Sequence, residues 1–241
     1  MIGMGTIVNA LSIVLGGLCG SFFGNRLKER HQETLTMASG VSVLFIGIAG
    51  TMPYMLDIGG NGLPGGGTVL MVGCLALGGL LGEIMDIEGK IEQFGEWLKK
   101  ETGNAGDSRF VHGFVTASLT VCIGAMAVVG AIQDGISGDW SILAVKSILD
   151  GIIIMVMTCA MGKGCMFSAI PVLLFEGAIT VLAVLVEPFM TKLSLDCLSF
   201  LGSILIFCVG VNLVWNRGIR VANLLPSLAL AILAAFLPIP V

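Results

Sequence analysis

Long apolar stretches separated by short polar ones run from one end of this chain to the other. A membrane-spanning helix needs about 20 mostly apolar residues. Eight stretches approach or reach that length, roughly 3–23, 34–54, 67–85, 110–133, 142–161, 165–186, 197–215 and 221–238. The pattern predicts an all-α polytopic transmembrane helix bundle of about eight spans, or seven plus a re-entrant hairpin. It forms one integral membrane domain over residues 1–241. Several stretches contain Gly and Pro, so kinked or broken helices are expected.

The one long polar segment, "DIEGKIEQFGEWLKKETGNAGDSR" (86–109), has an order of its own. Ile84, Ile87, Ile91, Phe94 and Leu98 recur at spacings of three and four, with charges on the other face. This periodicity predicts a short amphipathic helix lying on the cytoplasmic membrane surface, with Trp97 at headgroup level. An interfacial connector is the simpler reading, and a partner-docking element the alternative.

Composition agrees with the pattern. The 241 residues are 56% hydrophobic, with mean hydropathy +1.00. Only 12% are charged, against roughly 25% in soluble domains. Glycine, at 35 residues, stands near twice its usual share, as is common in membrane helices. A soluble chain of this length could not bury so much apolar surface. The net charge of −4 says little about partners, because orientation follows Lys and Arg. Arg26, Lys28, Arg30, Lys90, Lys99, Lys100, Arg109, Lys163, Arg217 and Arg220 fall on one side of the predicted spans, and only Lys146 and Lys192 on the other. The bias predicts that the basic loops are cytoplasmic and both termini extracytoplasmic. The outer turns "DIGGNGLPGG" (57–66) and "QDGISGDW" (133–140) are Gly-rich and acidic. The N-terminus lacks the basic region of a signal peptide. Leu18 precedes Cys19 where a lipoprotein box needs a small residue, so residues 3–23 are read as a retained helix.

Seven cysteines, an odd number mostly inside apolar runs, show neither CxxC nor Cys/His metal spacing and read as packing residues. No Walker loop, HExxH, GxSxG or dinucleotide fingerprint is present. His31 and His112 have no company that suggests metal or catalysis. An enzyme, a resident cofactor, a metal centre and a nucleic-acid partner are therefore not expected.

Repetition is weak. "VLGGLCGSFFGNRLKE" (14–29) resembles "ALGGLLGEIMDIEGKIE" (76–92), and "VSVLFIGIAG" (41–50) resembles "LTVCIGAMAVVG" (119–130). This suggests a parallel duplication of helices 1–2 and 3–4, and internal repeats are characteristic of transporters. Gly16, Gly20 and Gly24, and likewise Gly78 and Gly82, are spaced for close helix approach, within one chain or across a dimer.

Ionisable groups inside apolar spans carry the candidate chemistry, since each costs about 2.5–3.5 kcal/mol on insertion scales. Glu176 in "VLLFEGAIT" (172–180) lies near the middle of its span with no charged neighbour in sequence. It suits proton carriage or cation binding; a protonated Glu bonded between helices is the bland alternative. Lys146 and Asp150 lie one turn apart and can neutralise each other. They read either as an interfacial ion pair, with Lys146 snorkelling outward, or as the lining of an outward-facing vestibule. Asn9 and Asn212 are amides at helix depth, able to ligate a solute or bond across helices.

The stretch "SLTVCIGAMAVVGAIQDGISGDWSILAVKSILDG" (118–151) resembles the YqgA/YdfK-like family of bacterial inner-membrane proteins, a domain of unknown function. "GTIVNALSIVLGGLCG" (5–20) is similar to the family's opening helix and "RVANLLPSLALA" (220–231) to its close. The resemblance covers essentially the whole chain. It implies a polytopic membrane protein often labelled a transporter, with no established substrate. Gln133, Asp134, Gly135, Lys146, Asp150 and Gly151 fall on the family pattern.

These readings favour a secondary, ion- or proton-coupled transporter of a small solute or ion, working as a homodimer in the lipid bilayer. Glu176 would be its coupling group, Asp150 with Lys146 an outer polar site, and Asn9 and Asn212 mid-depth ligands. A passive ion channel is one alternative. A membrane scaffold or sensor acting through residues 86–101 is another.

Overall fold

The computed structural model describes residues 2–24, 26–56, 63, 67–123, 125–215 and 217–236. The predicted glycine-rich turn over 57–66 lies, apart from Leu63, outside them, as does the end of the last apolar stretch. The described residues form helices and turns, with no strand among them. The helices are α1 (Met4–Gly24), α2 (Glu29–Met55), α3 (Thr68–Met85), α4 (Ile87–Glu101), α5 (Phe110–Cys122), α6 (Ala125–Ser137), α7 (Ser141–Met161), α8 (Ala169–Val181), the single turn α9 (Ala183–Val186), α10 (Lys192–Trp215) and α11 (Pro226–Ala234). A 3-10 turn over Lys163–Ser168 leads directly into α8, and another over Val221–Leu224 precedes α11.

Six helical segments are long and apolar enough to cross a membrane. The α5–α6 pair, bent by 63° at its junction, makes a seventh. The pair is a broken crossing. Arg109, just before α5, donates to Gln32 at the foot of α2, whereas Asp134 in α6 meets the opposite end of α1 at Gly3 and Gly5. The eighth predicted span is a shorter apolar helix over Val221–Ala234. It starts beside Glu83 and Glu88, and the chain beyond it brings the Phe236 ring within 6.4 Å of Phe189, which lies just before α10. Gly3 and Phe236 thus share one end of the bundle, and Arg109, Lys163 and Arg220 the other.

Packing explains the glycine runs. α1 lies along α7 and α2 along α10. At Gly16 a side chain would collide with the Gly151 carbonyl, and at Gly20 with that of Met155. Gly82 seats the Asn223 backbone in the same way. These glycines are therefore used for packing inside the chain. α5 is the most enclosed helix, with Phe110, Phe114, Ala117 and Val121 buried against Met161, Cys165 and Leu205 in one core.

The amphipathic segment forms α4, and its apolar side docks on the bundle. Ile87 and Ile91 pack on the core, Leu98 is buried, and Phe94 lies 5.9 Å from Phe114. Trp97 stacks on Phe94 and remains exposed. Asp86, with φ of 48°, makes the tight corner between α3 and α4, a conformation uncommon for a residue with a side chain.

Candidate functional site: a buried amide, two carboxylates and an ammonium

Four of the five residues singled out in the sequence meet in one place. Asn9 of α1, Lys146 and Asp150 of α7, and Glu176 of α8 are 0%, 6%, 5% and 1% exposed. The Asn9 side-chain nitrogen donates to both carboxylate oxygens of Glu176, at 2.9 and 3.2 Å. Lys146 Nζ forms an ion pair with Asp150 Oδ2 and lies 3.4 Å from Glu176 Oε1. It also donates to the Val121 carbonyl at 2.8 Å. An ammonium has three donors, and here three acceptors surround it.

The Val121 carbonyl is available because the span is broken there. In an unbroken helix it would accept from the N–H four residues on. α5 ends at Cys122, and the 63° bend turns α6 away. Freed carbonyls inside a membrane protein need an internal partner, and the C-terminal end of a helix favours a cation. Lys146 meets both needs. This is why it turns inward: instead of the predicted snorkelling pair or vestibule lining, Lys146 and Asp150 lie enclosed, with Glu176 as the acidic group that their spacing in sequence does not reveal.

Other polar contacts extend from the cluster along α1. Thr6 Oγ1 lies 3.3 Å from Thr180 Oγ1, on the side toward the helix start. On the far side Ser12 donates to the Ser147 carbonyl at 2.6 Å. At the start of α1 the buried Asp134 carboxylate accepts from the Gly3 and Gly5 amides, at 3.1 and 2.9 Å. An acidic side chain at a helix N-terminus meets unsatisfied N–H groups and the positive dipole end. Taken singly, Thr6 and Ser12 carry no signal; their three-residue spacing with Asn9 on one face of α1 is the signal that locates them.

Asn212 lies elsewhere. Its amide donates to the Ile219 carbonyl and accepts from the Ile219 amide, at 2.7 and 2.9 Å, closing the turn after α10. That is a structural bond between residues seven apart in sequence. Among the described residues no group of three or more His, Cys, Asp and Glu is arranged to hold a metal.

The cluster contains two carboxylates and one ammonium. With all three ionised it carries one excess negative charge. Unpaired charge away from water is costly. A proton or another cation taken up beside Glu176 and Asp150 removes that excess. Asn9 Oδ1, which has no hydrogen-bond partner, supplies the acceptor such a guest would need. An amide whose oxygen and nitrogen exchange places would accept from a protonated Glu176 instead of donating to it.

Comparison with known proteins places the chain without assigning it an activity. A family model described as "Protein of unknown function (DUF554)" matches residues 4–236. An uncharacterised membrane protein of Bacillus subtilis (strain 168), YdfK, is 28% identical over 224 residues, covering 93% of this chain and 92% of its own. An uncharacterised protein of Escherichia coli (strain K12), YqgA, is 28% identical over 235 residues, covering 95% and 94%. No solved structure matches. A family model that spans the chain almost end to end, with relatives covered over more than nine-tenths of their length, leads to one conclusion: the chain is a member of the DUF554 family of polytopic helical membrane proteins.

Proposed function

We propose that this protein is a secondary transporter that couples the movement of a small solute or ion to a proton or cation. Glu176 and Asp150 form its coupling site, Lys146 is the internal counter-ion, and Asn9 responds to the proton state of Glu176. The observation that carries the reading is the enclosed Lys146 ammonium shared by two carboxylates at the break between α5 and α6. Broken helices near mid-depth, with their ends turned to ions, recur in transporters. Ionisable residues inside spans mark ion and proton pathways.

The steps follow from the charges. In the emptied state Lys146 holds both carboxylates and Asn9 donates to Glu176. Entry of a proton or cation neutralises one carboxylate, weakens its hold on Lys146, and loosens the contact that joins α7 and α8 to the end of α5. Binding therefore biases the arrangement of three helices. We place the protein in a bacterial inner membrane with both termini outside, a reading supported by the shared end of Gly3 and Phe236 opposite the basic loops.

The test is flux in proteoliposomes with a pH dye trapped inside and Na⁺, K⁺ or anion gradients imposed in turn. Proton movement driven by one gradient and abolished in Glu176→Gln is the expected result. Flux that persists undiminished in both Glu176→Gln and Asp150→Asn overturns the mechanism. Flux down each gradient without proton movement indicates a passive channel instead. Loss of function on deleting 86–101, with no effect of Glu176→Gln, would favour a scaffold.

A further inference from the structure

An apolar cavity of about 540 Å³ lies between α4, α5 and α8, with Val128, Leu198 and Leu228 of α6, α10 and α11 also in its wall and none of the charged cluster. Its volume is that of a small-molecule site. Ile91, Phe94 and Phe114 line the part beneath α4, and Cys122 and Ile123 the part at the end of α5. Along α5, Phe114 and Cys122 are eight residues apart, roughly 12 Å of rise. The cavity therefore extends from the interfacial helix toward the break in the span. Leu174 and Phe175, which also line it, are 63% and 41% exposed and mark where it opens sideways between α4 and α8.

The lining selects the occupant. Ser118 reaches the cavity, but its hydroxyl donates to the Phe114 carbonyl. Among the described residues of the lining the sole charged one is Lys90, an exposed side chain of α4. Lys90 forms no ion pair with the carboxylates of the described residues. An apolar interior with one cation at its rim fits a molecule with a long apolar tail and an anionic head. An apolar lining gives water few hydrogen-bond partners. A basic residue beside a membrane surface attracts anionic lipid.

We infer that this cavity is a binding site for one anionic phospholipid, with an acyl chain inside beneath α4 and the phosphate at Lys90. The chain end would abut Cys122 and Ile123, adjoining the carbonyl that Lys146 holds. α4 then serves as the roof of a lipid site, which explains why an interfacial helix packs Phe94 on Phe114 while leaving a cavity beside them. The inference rests on the membrane setting and does not depend on transport.

The test is lipid retention. The protein is reconstituted in vesicles of equal phosphatidylglycerol and phosphatidylcholine and extracted in mild detergent, and its retained lipid is counted by mass spectrometry. Retention of phosphatidylglycerol in excess of phosphatidylcholine is expected. Lys90→Gln should cut that preference about fivefold, the worth of one basic residue at an anionic surface. Leu174→Trp, which plugs the mouth from an exposed position, should remove the retained lipid. No retained lipid, equal retention of the two lipids, or wild-type behaviour of either variant overturns the proposal.

Discussion

The cluster of Asn223, Glu83, Glu88 and Arg220 at the basic end and the cluster of Asn9, Asp150, Glu176 and Lys146 inside the bundle contain the same four groups. Each has one amide, two carboxylates and one cation. At the basic end Arg220 pairs with Glu83 at 2.6 Å, Asn223 donates to Glu83 at 2.7 Å and accepts from the Glu88 amide at 2.8 Å, and Glu88 accepts from the Ala222 amide at 3.1 Å. The network ties α3 and α4 to the turn before α11. The side chains of Arg220 and Glu83 are 59% and 58% exposed, whereas those of Lys146 and Asp150 are 8% and 8% exposed. Water and salt neutralise the excess carboxylate in the first cluster. The second is shut off from that screening. Surroundings, not composition, separate an exposed fastening from an enclosed cluster with one carboxylate more than its cation can pair.

That contrast can be broken by removing matching groups. The largest effect is expected for Lys146→Met, which leaves two enclosed carboxylates and the Val121 carbonyl without their cation. Removing one partner of a buried pair costs about 3–5 kcal/mol, so the melting temperature in detergent should fall sharply. Adding Asp150→Asn to that variant should recover much of the loss, because one unpaired charge goes with it. If the double variant melts below the single one, the charge argument is wrong. Asn9→Ala comes next. It strips the Glu176 carboxylate of its amide donor, and a buried group left unsatisfied costs about 1–3 kcal/mol. Urea or thermal unfolding of the purified protein would measure it.

At the basic end the equivalent deletion, Arg220→Gln, should cost no more than about 1 kcal/mol, the usual worth of an exposed ion pair. A loss as large as that of Lys146→Met would erase the distinction between the clusters. The smallest effect concerns Glu88. Partial burial raises its carboxyl above the ordinary value, against the lowering influence of the Ala222 amide and Arg220. The folded protein then holds this proton more tightly than the unfolded chain does. Its contribution is therefore fully present below the unfolded pKa, and it is lost as pH rises through the folded one. Stability should drift downward just above the ordinary carboxylate range, and Glu88→Gln should flatten that drift in melting curves taken across pH.

The sequence shows the spans more plainly than the breaks. "VSVLFIGIAG" and "LTVCIGAMAVVG" look like counterparts, yet the first lies in the continuous helix α2 and the second straddles the bend between α5 and α6. Hydropathy cannot separate them, because the second is held by Lys146, which lies 25 residues away in the chain. The final apolar stretch is likewise visible but its form is not: a 3-10 turn and Pro226 delay its helix, leaving it short. Glu176, Asp150, Lys146 and Asn9 are conspicuous as polar groups in apolar runs, so their identity is legible. Their meeting is not, because it depends on how α1, α7 and α8 pack. Asn212 has the same sequence signature as Asn9 and bonds the next turn instead. An amide in an apolar run marks a hydrogen bond without saying to what. Asp134, beside Gln133 and Gly135 in what reads as an outer turn, belongs to α6 and caps α1.

A coupling site must exchange a proton or cation at the enclosed cluster; a fixed ion pair need not. Infrared difference spectra of the reconstituted protein, recorded while pH is stepped, read protonated carboxyl groups directly through their carbonyl stretch. A carboxyl band that appears and disappears with pH, that added Na⁺ or K⁺ shifts, or that survives in the wild type and in Arg220→Gln but is lost in Glu176→Gln, is the predicted result. Spectra in which Glu176→Gln and Asp150→Asn both leave every titrating carboxyl band unchanged would contradict it.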